Sequence, residues 1–278
     1  MHKFLRAIGF SDITKKDLEM ILDEVITRPE IMKITKDSEG NEFAELSGSF
    51  AANAGITVRG TYQEDDSFHM DYYYPYVFGT SITTNEQIDV EKHAEKESYA
   101  GVCDEVNLGV TLIFYIQNVA DYLAETNRHL SKIHYGAMLA GLSTEGKILC
   151  PVVERKKNDV PAIQKNDRHN QLIAQAREGD EDAIESLTLE DMDTYALLSQ
   201  RVMKEDIFSI VKSTFMPFGI ESDQYTVLGE IIDCVTMENK LTHEKLYGMK
   251  LLCNNIQFDV CINEKDLFCL LYTSDAAD

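Results

Sequence analysis

His69 and Asp71 have the residue types and the spacing of a catalytic pair. They lie two residues apart in the segment "SFHMDYYYPYVF" (residues 67–78), whose aromatic residues predict a strand. Side chains at i and i+2 of a strand share one face, so an imidazole and a carboxylate could act there as a general base. The sequence places no nucleophile beside them, so the pair is a candidate catalytic site without an assigned reaction.

His93 is the second candidate catalytic residue, because it lies among Glu91, Glu95 and Glu97 in "DVEKHAEKE" (residues 89–97). A metal ion or a general-base reaction uses such groups. The spacing is not that of the H-E-x-x-H motif, and a charge-rich stretch of this kind is typical of a solvated loop or a short helix. We therefore predict no metal and no cofactor.

Tyrosines make residues 71–78, "DYYYPYVF", the most aromatic segment of the chain. Aromatic strands can stack nucleic-acid bases, but this segment has no basic neighbours. The pattern favours a strand with one aromatic face in the core and with Pro75 near an edge or a bulge. If Tyr72, Tyr74 or Tyr76 faces a cleft, the strand offers a site for a small ligand or a peptide.

Residues 141–148, "GLSTEGKI", differ from a phosphate-binding loop at the last position, where Ile148 replaces the hydroxyl residue that holds Mg²⁺. The next residues, "ILCPVV", predict a strand rather than the helix that the motif needs. We therefore predict a hairpin turn at "TEG". Six cysteines without a C-x-x-C pair indicate reduced, mostly buried thiols rather than a zinc site.

The acidic composition limits the partners of the protein. The 278 residues carry 26 Lys and Arg against 48 Asp and Glu, a net charge of −22. Such a field repels phosphate backbones and anionic lipids, so we expect no nucleic-acid partner and no membrane partner. The N-terminus lacks a signal-peptide pattern, and we expect a cytoplasmic protein whose partner is an unknown protein or a small ligand.

The elements that would position these residues form an α+β fold in two modules. Residues 1–154 predict a first α+β domain, in which the helix "KKDLEMILDEVITR" precedes an antiparallel β meander. Apolar residues at steps of three or four along residues 108–123 predict a further helix packed on this meander, although "GVTLIFYI" alone could be a buried strand. The segments "HYGAMLAGLS" and "KILCPVV" predict a hairpin.

A mixed-charge stretch, residues 155–168, predicts a linker to the second domain. Residues 169–268 predict helices that end at Pro217 and Gly219, followed by a second β meander that looks truncated. The fold class that we expect is therefore α+β: an antiparallel β meander with packed helices, then a helical segment and a second, truncated meander.

Several stretches resemble an uncharacterised bacterial family, a domain of unknown function found mainly in anaerobic Firmicutes. They are "MHKFLRAIGFSDI", "AGLSTEGKILCPV", "AREGDEDAIESLTLEDMDTYALLSQRVMKEDIFSIV" and "FDVCINEKDLF". The resemblance covers nearly all of residues 1–268. It implies no activity and no catalytic residue, because the family has none assigned.

The last ten residues, "CLLYTSDAAD", depart from this resemblance. They can be written in order as one reading frame of a transposon-based sequencing adaptor. We therefore expect residues 269–278 to be a non-native translation and the native chain to continue beyond Phe268. An incomplete meander would leave an open strand edge.

The sequence thus favours a non-catalytic binding or scaffolding module. Its basis is a large acidic surface and the lack of a coherent catalytic constellation. Two alternatives stay open at this point, so whether the protein is an enzyme is undecided. One is an enzyme of unfamiliar type with a site in the cleft between the modules, and the other is a small-ligand sensor that uses the tyrosine strand.

Overall fold

The computed structural model describes residues 2–93, 97–127, 136–151, 213–219 and 223–272. The first layer is a four-stranded antiparallel sheet in chain order, with a short 3-10 helix and one α-helix before it. Its elements are the 3-10 helix Lys3–Ile8, α1 Lys15–Thr27, β1 Ile31–Lys36, β2 Glu42–Ala51, β3 Ala54–Tyr62 and β4 Phe68–Val77. The predicted first helix and meander are therefore present.

Helix α1 begins where the sequence supplies a cap. The side chain of Thr14 accepts a hydrogen bond from the backbone N–H of Asp17 at 3.2 Å, which satisfies one of the open donors of the first turn. One stripe of the helix is apolar and packs on the sheet. This stripe is made of Leu18, Ile21, Leu22 and Val25.

A three-stranded sheet and one helix follow. They are β5 Asp89–Lys92, β6 Tyr99–Glu105, β7 Val110–Tyr115 and α2 Val119–Asn127. The prediction of one long helix over residues 108–123 is therefore wrong in its first half. Residues 110–115 pair with β6 along their whole length, and this pairing suits a β-branched and aromatic run better than a helix does. The alternative of a strand was correct there, but only Leu112 of this strand is buried.

The remaining described elements are mostly strands. They are β8 Ala140–Ser143, β9 Gly146–Pro151, β10 Thr214–Pro217, β11 Tyr225–Leu228, β12 Glu230–Glu238, β13 Lys245–Cys253, β14 Ile256–Asn263, the 3-10 helix Glu264–Asp266 and β15 Leu267–Tyr272. Strands β12, β13 and β14 form the predicted second meander, and β8 continues this sheet beyond β14.

The predicted hairpin between β8 and β9 is wrong, although both strands exist. β8 pairs in parallel with β14, and β9 pairs in parallel with β15. Parallel partners lie far away along the chain, so the short "TEG" connection carries no information about them. β8 and β9 are thus neighbours along the chain, but each of them pairs with a strand more than 100 residues later.

Buried side chains from both ends of the chain share one core. The largest cluster joins the N-terminal segment, α1 and the first sheet to Met237, Leu246 and Cys261 of the second meander. The division into domains at residues 154 and 169 stays a prediction. The predicted linker and the helices of residues 169–212 lie outside the described residues, and the non-native origin of residues 269–278 stays a prediction as well.

The coarse fold class is confirmed as α+β, rich in antiparallel sheets and with few helices. Within the described ranges, no helix is long and apolar enough to cross a membrane.

Candidate functional site

Arg59 is the centre of a buried polar group on one face of the first sheet. It lies on β3 directly opposite Glu45 of β2 and Tyr72 of β4. Arg59 is 2% exposed and Glu45 is 6% exposed. Charged side chains are almost never buried to this degree without partners, so the three strands bring together the groups that make this burial possible.

The guanidinium of Arg59 directs its donors at five oxygen atoms. Its Nε lies 2.9 Å from Oε2 of Glu45, and Nη1 donates to the Tyr72 hydroxyl at 2.9 Å. Nη2 donates to the Tyr74 hydroxyl at 2.7 Å and to the backbone oxygens of Gln117, at 2.8 Å, and of Ile116, at 3.2 Å. The ring of Tyr74 also lies 4.6 Å from the guanidinium carbon.

The connection between β7 and α2 covers this group. The Tyr74 hydroxyl donates to the Gln117 backbone oxygen at 2.9 Å, so both Arg59 and Tyr74 hold this connection against the sheet. A second contact lies beside it, where Lys33 of β1 pairs with Asp121 of α2 at 2.6 Å. The polar group therefore fastens α2 to the first sheet.

Burial shifts the pKa of two members of this group. Burial raises the pKa of the Glu45 carboxyl above its usual value, while the charge of Arg59 opposes that rise. Burial also raises the pKa of the Tyr74 hydroxyl, which therefore stays protonated and keeps its hydrogen bond to Gln117. The arrangement holds the connection between β7 and α2 by hydrogen bonds.

The structure brings His69 and Asp71 together, but on a solvated part of β4. Their Nε2 and Oδ1 atoms are 3.9 Å apart, and the side chains are 69% and 35% exposed. A bulge between Arg59 and Gly60 of β3 shifts the register where Asp71 lies. The predicted proximity is present, whereas a shared buried pocket is not.

A depression of about 430 Å³ lies beside this pair. His2, Met70, Asp71, Tyr72 and Tyr73 line it, so it contains one predicted catalytic residue and one predicted ligand-binding tyrosine. Burial lowers the pKa of the His2 imidazole, and the nearby charge of Lys3 adds to this effect. The depression thus combines a neutral imidazole, a carboxyl group and two phenol rings.

His93 directly follows the last residue of β5. Its ring meets the ring of Tyr115 edge-on, with a centroid distance of 5.7 Å. Glu97 instead accepts hydrogen bonds from Lys92 at 2.5 Å, Tyr99 at 2.6 Å and Ser38 at 2.7 Å. The hydrogen-bond partners of the Glu97 carboxylate among the described residues therefore do not include His93.

Glu95 of the predicted cluster lies outside the described residues. Among the residues that the structure describes, no group of three or more His, Cys, Asp and Glu side chains could hold a metal ion.

Cysteines behave largely as the sequence indicates. Cys103, Cys253 and Cys261 are free and buried, and burial raises the pKa of the first two to about 11 and of the third to about 12. Cys234 is free and exposed, on β12. The side chains of Cys150 and Cys269 lie outside the described residues.

Strand β12 exposes apolar side chains to an unusual extent. Every one of its nine residues except Met237 is exposed, on both faces of the strand. Ile231, Ile232 and Val235 are 39%, 42% and 54% exposed. Within the described ranges, β12 is an edge strand with only β13 beside it. Exposed apolar groups at a sheet edge mark a surface that other chains can contact.

Sequence reasoning missed the Arg59 group and the exposure of β12. A signal for the first is present, because Glu45 and Arg59 each interrupt an otherwise uncharged run of a strand. The sequence does not show that the two residues are cross-strand neighbours. The apolar residues of β12 favour a buried strand from the sequence alone, and only the sheet order places them at an edge.

A family model described as "Domain of unknown function, E. rectale Gene description (DUF3881)" matches residues 5–270. This match confirms the resemblance to an uncharacterised bacterial family. No curated protein and no solved structure matches the chain.

Proposed function

We propose that this chain, which belongs to the DUF3881 family of domains of unknown function, is a non-catalytic binding or scaffolding module. The observation that carries the proposal is β12, which is an edge strand within the described ranges and has exposed large apolar side chains on both faces. Water contact with apolar surface costs about 25 cal/mol per Å². A partner that covers this strand gains that free energy.

The Arg59 group supports a rigid first sheet, which is separate from the sheet of β12. Its donors are directed at side-chain and backbone oxygens of the chain itself. Satisfied buried polar networks fix one arrangement of the elements that they join. The first sheet and the connection to α2 therefore hold a fixed arrangement, which suits a scaffold.

Affinity purification of the tagged full chain from a bacterium that encodes the family tests the proposal. The variant Ile231→Asp with Val235→Asp makes the β12 surface polar without touching a buried side chain. Met20→Asp on α1, also at an exposed apolar position, is the matched control. We expect a protein that the wild type and Met20→Asp retain and the β12 variant loses.

Two results would contradict binding through β12. One is that no protein is enriched over the tag alone. The other is that the same proteins remain with all three chains. Circular dichroism of each variant shows whether the fold is retained.

The depression beside Tyr72 favours a second candidate, the small-ligand sensor. A carboxyl group next to aromatic rings binds small organic cations, and Asp71, Tyr72 and Tyr73 supply both. Calorimetric titration with choline tests this candidate, with Asp71→Asn as the variant that weakens binding. The absence of a saturable heat for the wild type would reject it.

A further inference from the structure

We propose that β12 accepts an extended segment of a partner protein as a fifth strand of its sheet, and that this segment alternates basic with apolar residues. The inference rests on the proposed binding function and names the class of its partner. Addition of a strand to an open sheet edge is a general mode of peptide recognition, in which backbone hydrogen bonds give affinity and alternate side chains give specificity.

Backbone groups that can receive such a strand follow from the register of β12 and β13. The Asn239 N–H donates to the Glu244 backbone oxygen at 2.9 Å, so these two residues form a hydrogen-bonded pair of the antiparallel ladder. The preceding pair, Glu238 with Lys245, is therefore a non-hydrogen-bonded pair. Because hydrogen-bonded and non-hydrogen-bonded pairs alternate along the strand, the N–H and C=O groups of Val235 point to β13. Those of Cys234 and Thr236 point to the outer edge.

Among the residues that the structure describes, no backbone group pairs with the outer edge of β12 at Thr236, whereas the N–H of Cys234 on that edge already has a partner. The Cys234 N–H donates to the Asp233 side chain at 2.9 Å, which satisfies it locally. A bulge between Ile231 and Asp233 also bends the strand on this side. Both features are ways in which proteins limit uncontrolled edge pairing, so a docked segment pairs with the part of β12 that follows the bulge, around Thr236.

Charge decides which segment fits. β12 contains Glu230, Asp233 and Glu238 and no basic residue, and the whole chain carries −22. Asp233 and Glu238 lie opposite Lys250 and Lys245 of β13, so the attraction of a basic segment comes from the field of the whole protein, which repels an acidic segment. Apolar residues between the basic ones would cover Val235, which follows the bulge and is 54% exposed.

Strand β1 of the same protein serves as a comparison for β12. Within the described part of the chain it is also an edge strand with exposed apolar residues, Met32 and Ile34 among them. Its charged residues are Lys33 and Lys36, without an acidic residue in the strand. If apolar edges alone decided binding, β1 and β12 would accept the same segments. If charge decides as well, a basic segment binds β12 and not β1.

A fluorescent peptide with the sequence Lys-Val-Lys-Ile-Lys-Val-Lys, blocked at both ends, is the probe, and its binding to the full chain is followed by anisotropy. We expect saturable binding, with an affinity at least about ten-fold higher than that of the peptide with Glu in place of Lys. Thr236→Pro removes an outward N–H without touching the ladder to β13, so it should weaken binding at least about ten-fold.

Two matched controls accompany this variant. Thr236→Ala keeps the N–H, and Ile34→Pro alters the other edge, so both should stay within about two-fold of the wild type. The proposal is overturned if the basic peptide shows no saturable binding. It is equally overturned if Thr236→Pro binds like the wild type, or if Ile34→Pro weakens binding as much as Thr236→Pro does.

A second measurement needs no variant. Cys234 is exposed on β12, so a bound strand should slow its reaction with a maleimide, as read by mass spectrometry of the Cys234 peptide. An unchanged rate at saturating peptide would contradict docking at β12. If the capture experiment succeeds and these peptide measurements fail, only the partner's chemistry is rejected and the binding function is retained.

Discussion

Nε of Arg59 lies 2.9 Å from Oε2 of Glu45, across the pairing of β3 with β2, and both side chains are buried. Arg59→Met keeps the aliphatic stem but leaves the Glu45 carboxyl without its cation. Removal of one partner of a buried pair typically costs about 3–5 kcal/mol, because a buried charge remains uncompensated. We expect a loss of this size in the free energy of unfolding, measured by urea denaturation.

The double variant Arg59→Met with Glu45→Leu is the control for this prediction. It removes both charges, so it should be more stable than Arg59→Met alone. If the single variant lost less than about 1 kcal/mol, or if the double variant lost the sum of both single losses, the pair would not be the coupled unit that the geometry indicates.

Tyr74 and Tyr73 are neighbours on β4 with opposite surroundings. The Tyr74 hydroxyl accepts from Arg59 and donates to the Gln117 backbone oxygen, so Tyr74→Phe leaves buried groups unsatisfied at a cost of about 1–3 kcal/mol. The Tyr73 hydroxyl accepts only a 3.3 Å contact from the His2 N–H among the described residues.

Tyr73→Phe should therefore change stability by less than about 0.5 kcal/mol. Chemical denaturation of both variants measures the difference. Equal losses for the two tyrosines would show that the covering connection does not depend on the Tyr74 hydroxyl.

Elements with a strong local period were predictable from the sequence. The stripe of Leu18, Ile21 and Leu22 predicts α1, and the β-branched and aromatic runs predict the strands of both meanders. The strand at residues 110–115 was not predictable, because Leu112 fits a helical stripe as well as it fits a strand that pairs with β6. The parallel partners of β8 and β9 also lie beyond any local pattern.

The candidate site shows the same limit. The spacing of His69 and Asp71 correctly predicts a shared strand face, but it carries no information about burial, and the pair is solvated. Glu45 and Arg59 are 14 residues apart, and their contact follows from the register of β2 with β3. A single sequence shows one strand at a time, so a group assembled from three strands is not visible in it.

Glu97 makes stability depend on pH. Burial opposes its ionisation, but hydrogen bonds from Lys92, Tyr99 and Ser38 hold the pKa of its carboxyl below the usual 4.5. A carboxyl whose folded pKa is lowered stabilises the fold above its unfolded pKa, and this contribution is lost as the pH falls through the folded pKa. We expect the free energy of unfolding to fall as the pH drops below about 4.5.

Glu97→Gln tests the assignment, because an amide does not titrate in this range. The variant should be less stable than the wild type at pH 7, and the difference should shrink as the pH falls below about 4.5. A difference that stayed constant across this range, measured by denaturation at each pH, would show that the Glu97 carboxyl is not a source of the acid sensitivity.

Gly9 and Gly40 have nearly the same backbone conformation, with φ of +93° and +91°, but different surroundings. A Cβ at Gly9 would lie 2.6 Å from Cβ of Asn239, whereas nothing lies within 4 Å of a Cβ at Gly40. Gly40→Ala should therefore lower the free energy of unfolding only by the cost of a left-handed backbone at a residue with a Cβ, about 1–2 kcal/mol.

Gly9→Ala should cost that amount and more. Asn239 is fully buried and its Nδ2 donates to the Ile8 backbone oxygen at 2.7 Å, so a displaced Asn239 loses this bond at a further cost of about 1–3 kcal/mol. The difference between the two variants in urea denaturation isolates the contact between the N-terminal segment and the turn after β12. Equal losses would mean that this turn moves aside without cost, and that the N-terminal segment is not held by Asn239.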